Sequence, residues 1–115
     1  MGIETEIKVR VGDPESFGRK MMELKAVVVS ARHFEDNCVL DFPDGRLRAE
    51  RCLLRIRSAE GRGVLTFKGA PRANGLFKTR EELETGVEND AIMLRILERI
   101  GMLPGFRYQK FRREF

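Results

Sequence analysis

Residues 3–11 alternate without a break. Ile3, Thr5, Ile7, Val9 and Val11 take one parity, and Glu4, Glu6, Lys8 and Arg10 take the other. Only a strand turns a two-residue period into two clean faces; a helix would scatter the same residues around its axis. The pattern returns further on. Arg55 and Arg57 alternate with Leu54 and Ile56, and Thr66 and Lys68 with Leu65 and Phe67. Lys78, Arg80, Glu82 and Glu84 share a face of the segment 76–87. In 106–115, Lys110 and Arg112 oppose Phe111 and Phe115. Strands with one apolar and one charged face belong to antiparallel sheets, because a parallel sheet covered on both faces reads as continuous apolar runs.

Two helices interrupt the strands. Gly12 ends the first, Asp13 can cap and Pro14 can begin a helix, and Phe17, Met21 and Leu24 recur at helical spacing, predicting a helix over 15–26. Asn89 or Asp90 caps a second helix carrying Ile92, Ile96, Leu97 and Ile100, stopped by Gly101. Residues 27–41 read as a strand, irregular around 33–37. Pro43-Asp44-Gly45 and Pro104-Gly105 read as turns, 60–63 as a hairpin turn and 70–75 as a loop. At 115 residues, with no repeat, low-complexity tract or linker, the chain is read as one α+β domain. Its first ten residues are charged and alternating and no stretch is long and apolar enough to span a bilayer, so the expectation is a cytoplasmic protein without a membrane partner. Cys38 and Cys52 read as small buried hydrophobes, and the lone His33 as a structural or surface residue.

Charged residues make up 35% of the chain, against an ordinary share of about a quarter. A solvent-facing charged face would explain any one strand. Here strand after strand carries both signs, drawn mainly from Arg, Lys and Glu. If the sheet curls, these faces line its inside as an antiparallel barrel (a tunnel) or a partial barrel, with the helices covering the apolar outside. Buried charges are costly unless balanced. A polyanion with divalent cations would complete the balance, Arg and Lys taking phosphate oxygens and carboxylates taking metal. The net charge of +4 favours an anionic partner. A nucleic-acid surface would interleave aromatics with the basic residues, whereas the phenylalanines fall mostly on the opposite face. Glu4, Glu6 and Lys8 form an E-x-E-x-K motif. Like-facing residues lie roughly 7 Å apart on a strand, so two carboxylates could share a hydrated Mg²⁺ or Mn²⁺ while the lysine reaches a phosphate.

These residues resemble the CYTH family of triphosphate tunnel metalloenzymes, which includes class IV adenylate cyclases, thiamine triphosphatases and inorganic tripolyphosphatases. The resemblance spans the chain. It rests on Glu4-x-Glu6-x-Lys8, on residues 40–47, on Leu54-Arg55-Ile56-Arg57 with Leu65-Thr66-Phe67-Lys68, on residues 80–84, and on residues 110–115. It implies a closed antiparallel barrel whose hydrophilic tunnel takes a triphosphate and metal. Glu4, Glu6, Glu82 and Glu84 would bind Mg²⁺ or Mn²⁺, and Lys8, Arg55, Arg57, Lys68, Arg80, Lys110 and Arg112 would hold phosphates. The implied activity is metal-dependent hydrolysis of tripolyphosphate, a nucleoside triphosphate or thiamine triphosphate. The alternatives are an adenylate cyclase of the class IV type or a non-catalytic phosphate-binding module. Two features depart from the family. Its further strands, one bearing an aspartate and another a second E-x-E pair, have no counterpart in 1–115, so the last strand is expected to be an open edge that invites a homodimer. Several family hydrolases also carry a tyrosine in the segment where this chain reads Asn37-Cys38-Val39-Leu40-Asp41; the single tyrosine here is Tyr108.

Overall fold

The structure is a computed structural model that describes residues 2–6, 10–24, 30–75 and 77–114. In chain order the elements are β1 (Gly2–Glu6), α1 (Pro14–Glu23), β2 (Ser30–Asp41), α2 (Arg46–Ala49), β3 (Leu53–Ala59), β4 (Arg62–Lys68), β5 (Arg72–Asn74), β6 (Phe77–Val87), α3 (Asp90–Arg99) and β7 (Leu103–Glu114). The strands form one antiparallel sheet ordered β1-β6-β4-β3-β2-β7, with β5 beside β6. Among the described residues the sheet does not close: β1 and β7 end its path, so it is a partial barrel.

Local chemistry sets these elements. Asp13 Oδ1 accepts from the Glu15 N–H at 3.1 Å, and Asn89 Oδ1 from Ile92 N–H at 3.0 Å, each satisfying an orphan donor at a helix start. The β3–β4 hairpin turns on Glu60 and Gly61, whose φ values of 52° and 73° give the doubly left-handed turn that matches strand twist. After β2, Asp41 accepts from the backbone N–H groups of Phe42 (2.7 Å), Leu47 (3.0 Å) and Arg48 (3.0 Å). One carboxylate thereby folds the segment from Phe42 to Arg48 back onto the end of its strand.

The core lies on one side of the sheet. Leu40, Ile56 and Met102 are buried there, with Cys38, Leu54, Leu65, Met93, Leu94 and Leu97 packed against them. α3 makes its contacts with β3, β4 and β7. Its approach depends on Gly63, where an added Cβ would stand 2.8 Å from the Asp90 Cβ and 3.0 Å from a Val87 methyl. Ser58 Oγ also donates to Asp90 Oδ2 at the start of this helix. Cys38 and Cys52 are free and only half-buried, Cys38 against the core.

Four expectations need correction. Pro104-Gly105 is not a turn but part of β7. Leu40 pairs with Pro104 and Val39 with Phe106, so Gly105 is an extra residue absorbed as a bulge, and a proline near the start of an edge strand interrupts no ladder. The loop 70–75 contains β5, a short strand added to β6. Arg10 and Val11, expected to close the first strand, are not strand; residues 46–49 form one helical turn because Asp41 holds the N–H groups of Leu47 and Arg48. The expected middle of the first strand at 7–9, the strand starts at 27–29 and 76, the helix end at 25–26 and Phe115 lie outside the described residues. Among the described residues, no helix is long and apolar enough to cross a membrane.

Candidate functional site

Strand parity brings the charged residues together. Glu4 pairs with Arg80 across β1 and β6, Lys68 with Glu82 and Thr66 with Glu84 across β4 and β6, and Arg55 with Thr66 across β3 and β4. On the other side of β3, Arg57 pairs with Asn37, and β2 then sets Asn37 against Tyr108, Glu35 against Lys110 and His33 against Arg112. This face is opposite the one that α2 and α3 pack. Even so, Asn37 and Thr66 are 0% exposed, Glu35 2% and Arg55 8%. The coil of the sheet and the long side chains themselves enclose these groups.

The face has two halves. In the first, Lys68 Nζ lies 2.9 Å from both oxygens of Glu4 and 3.6 Å from Glu82, and Arg80 Nε is 3.8 Å from Glu4. Glu82 also stands close enough to Glu4 for the two carboxyls to hydrogen-bond when one of them is protonated. That bond, reinforced by Lys68 and Arg80 and opposed by burial, lowers the Glu4 carboxyl to about 2. The same bond, burial and the Glu4 charge raise Glu82. The two carboxyls therefore hold one proton between them on acidification and repel each other once both ionise. Glu84, more exposed, accepts from Thr66 Oγ1 at 3.2 Å.

The second half is rich in cations. Arg57 Nε donates to Asn37 Oδ1 at 2.9 Å and lies 3.3 Å from Glu35 Oε1, with Lys110 Nζ at 4.0 Å from the same oxygen. The other oxygen of Glu35 meets His33 Nε2 at 3.0 Å, and His33 Nδ1 is 3.8 Å from Glu60. Burial pushes the Glu35 carboxyl up, but His33, Arg57, Arg112 and Lys110 together hold it below its usual range. Burial, and then the charge of Arg112, lower Lys110. Arg55 Nη1 donates to the Tyr108 hydroxyl at 3.4 Å.

Of the predicted site residues, Glu4, Lys68, Arg80, Glu82 and Glu84 meet in the first half, and Arg55, Arg57, Lys110 and Arg112 stand in the second. Lys8 lies outside the described residues, as does the side chain of Glu6, whose backbone pairs with Lys78. Sequence reasoning missed Glu35, Asn37 and Tyr108. It also underrated His33, which faces the site and binds Glu35. Tyr108 was findable, two residues before Lys110 and of the same parity. The run from His33 to Asn37 is polar on both parities, so its facing was not. Among the described residues, no group of three or more His, Cys, Asp or Glu side chains is gathered to hold a metal. The Glu4–Glu82 pair nevertheless suits a divalent cation. Two hard oxygen donors that repel when ionised are met by a hydrated Mg²⁺, which commonly takes one or two protein carboxylates and keeps several waters.

The family model for the CYTH domain matches residues 2–115. A Methanocaldococcus jannaschii protein named as a candidate adenylate cyclase is 30% identical over 99 residues, covering 86% of this chain and 55% of its own length. Among solved structures, a candidate adenylate cyclase from Vibrio parahaemolyticus superposes with a TM-score of 0.82 at 19% identity, over 96% of this chain and 60% of that one. A candidate adenylyl cyclase from Hippeastrum, described as having a dominant triphosphatase activity, gives 0.72 at 19% identity, over 95% and 65%. At these identities the superpositions speak for the fold. The chain spans a little over half the length of the curated relative it matches.

Proposed function

Because the chain belongs to the CYTH domain family, we propose that its charged face binds a metal-complexed triphosphate and promotes hydrolysis of the terminal phosphoanhydride. The family binds triphosphates and is metal-dependent in general. The observation that carries the reading is the segregation of charge on one enclosed face. A carboxylate pair, Glu4 and Glu82, stands at one end, and Arg55, Arg57, Lys110 and Arg112 stand at the other. A solvated surface has no reason to bury an arginine, an asparagine and a glutamate on the face away from the core.

Each residue then has a task. Glu4 and Glu82 would hold Mg²⁺ or Mn²⁺, with Glu6 and Glu84 as further carboxylates. When bound, the cation neutralises phosphate charge and lowers the pKa of coordinated water. Lys68 Nζ, 2.9 Å from both oxygens of Glu4, would turn to a phosphoryl oxygen where a cation held the carboxylates. Arg55, Arg57, Arg80, Lys110, Arg112 and, by its motif, Lys8 bind the remaining oxygens and align the chain. Water attacks the terminal phosphorus, a new P–O bond forms, and the bridging P–O bond breaks to leave orthophosphate and diphosphate. Positioning and charge neutralisation supply the rate.

A second reading has its own support, since all three proteins compared above carry cyclase names. The two chemistries separate in one experiment: incubation with tripolyphosphate, ATP and thiamine triphosphate in Mg²⁺ or Mn²⁺, beside the Glu4→Gln/Glu82→Gln double variant. Orthophosphate release that collapses in the variant is the expected outcome. Cyclic AMP with diphosphate from ATP would establish the cyclase. Metal-dependent triphosphate binding without turnover would leave a binding module. Release unchanged in the variant would remove the metal assignment.

A further inference from the structure

Among the described residues, the second half of the face holds donors without a hydrogen-bond partner. Arg57 is a donor, so Asn37 must present its Oδ1 to it, and this orients the amide. The Nδ2 of the fully buried Asn37 is then left without a hydrogen-bond partner, and so is Nε of Arg55, itself 8% exposed. Tyr108 accepts from Arg55 Nη1 at 3.4 Å, which leaves its own O–H to be given. These groups converge because Asn37 and Tyr108 are register partners across β2 and β7, and Asn37 and Arg57 across β2 and β3. The charged groups facing Tyr108 are Arg55 and Arg57 from β3, Lys110 and Arg112 from β7, and Glu35 and His33 from β2. Only Glu35 is a carboxylate: its Oε2 meets His33, and its Oε1, buried without a hydrogen bond among the described residues, lies 3.3 Å from Arg57 and 4.0 Å from Lys110.

Buried donors left unpaired are costly, and a corner whose one carboxylate is ringed by cations and whose other unspent groups are donors fits a ligand that offers acceptors. We propose that Tyr108, Asn37 and Arg55 form a subsite for a terminal phosphoryl group, with the Tyr108 hydroxyl donating to one of its oxygens. The proposal rests on the triphosphate reading and adds to it a residue and a polarity. The corner lies toward the β7 edge, away from the Glu4–Glu82 pair near β1, so a triphosphate laid across the strands ends here. A terminal phosphoryl has three non-bridging oxygens for the three unspent donors, whereas an internal one has two. The environment also suits the role. Burial alone would push the phenol up, but the Arg55 hydrogen bond and the charges of Arg55, Lys110 and Arg57 outweigh it and make Tyr108 more acidic than usual. A more acidic phenol is a stronger donor to an anion.

The test uses the intact chain, which has one tyrosine and no tryptophan, so phenolate absorbance reports Tyr108 alone. Without ligand the phenol is expected to ionise below its ordinary 10.0. Saturating tripolyphosphate with Mg²⁺ should move that ionisation to higher pH, because the bound anion accepts a hydrogen bond from the protonated phenol and repels the phenolate. Calorimetry should show Tyr108→Phe binding tripolyphosphate about tenfold more weakly, the scale of a hydrogen bond to a charged group. Both results together support the subsite. If the wild type binds tripolyphosphate but the phenol titration does not move, or the phenylalanine variant binds as well as the wild type, the subsite is wrong and the triphosphate reading stands. If neither protein binds tripolyphosphate, that reading falls and takes the subsite with it.

Discussion

The Glu4–Glu82 pair shows how one side chain can serve binding at the expense of the fold. Glu4 is held at about 2, below its ordinary 4.5, so its ionised form stabilises the folded chain above pH 4.5. That contribution disappears as pH falls from 4.5 toward 2. Glu82 is raised, so its protonated form is the favoured one in the fold, and its contribution is lost as pH rises through its own pKa. At neutral pH and without metal the two carboxylates repel. Glu82→Gln keeps the hydrogen bond to Glu4 and removes the repulsion. It is expected to stabilise the metal-free protein by about 0.5–1 kcal/mol at pH 7, read as a higher urea midpoint, while weakening Mg²⁺ binding in calorimetry. Loss of stability in that variant would contradict the shared proton. Glu4→Gln should flatten the acid limb of stability between pH 4.5 and 2, measured by denaturant unfolding across that range. The parity rule exposed Glu4, Lys68, Arg80 and Glu82 in the sequence because each has a charged or polar residue two positions away on the same strand face. It could not expose the shared proton, which depends on two strands meeting from opposite ends of the chain.

At the scale of elements, the strands were legible where period two was clean and obscure where it was not. β3, β4 and β6 alternate, and their register follows from it. β2 is polar on both parities near its middle, so only its neighbours decide that Glu35 and Asn37 face the site. β7 begins with a proline and a bulged glycine, which locally read as a turn; ladder hydrogen bonds to β2 override that signal. The seating of α3 depends on the missing side chain at Gly63. Gly63→Ala drives a methyl into Asp90 and Val87 and is expected to cost about 1–3 kcal/mol, measured by thermal or urea unfolding. An unchanged midpoint would mean that α3 has room to move outward.

At the scale of the whole molecule, the sheet has two ends, and the closed barrel implied by the family resemblance needs them joined. β7 presents a long outer edge with Leu103, Phe106 and Phe111 all more than half exposed. We propose that the 115-residue chain associates with a second copy through this edge, since an unpaired strand with apolar neighbours is a template for pairing. Sedimentation should then show a concentration-dependent monomer–dimer equilibrium, and a lysine at Phe106 or Phe111 should shift it toward monomer. A single monomeric boundary at the highest attainable concentration would refute the association. The open ends were the part of the architecture least readable from pattern alone, because alternation assigns faces but says nothing of closure.

The strand order also dictates a sequence of events in time. β3 and β4 meet across a two-residue turn, whereas β1 joins β6 through partners as distant as Gly2 and Glu82, and β7 joins β2 through partners such as Ser30 and Glu114. Short loops close early and long ones late. Glu4 arrives only with β1, and Tyr108, Lys110 and Arg112 only with β7. A chain that has folded its central hairpin therefore holds Arg55, Arg57 and Lys68 but not the rest of the charged face, which is the last feature assembled on folding and the first surrendered when the margins fray.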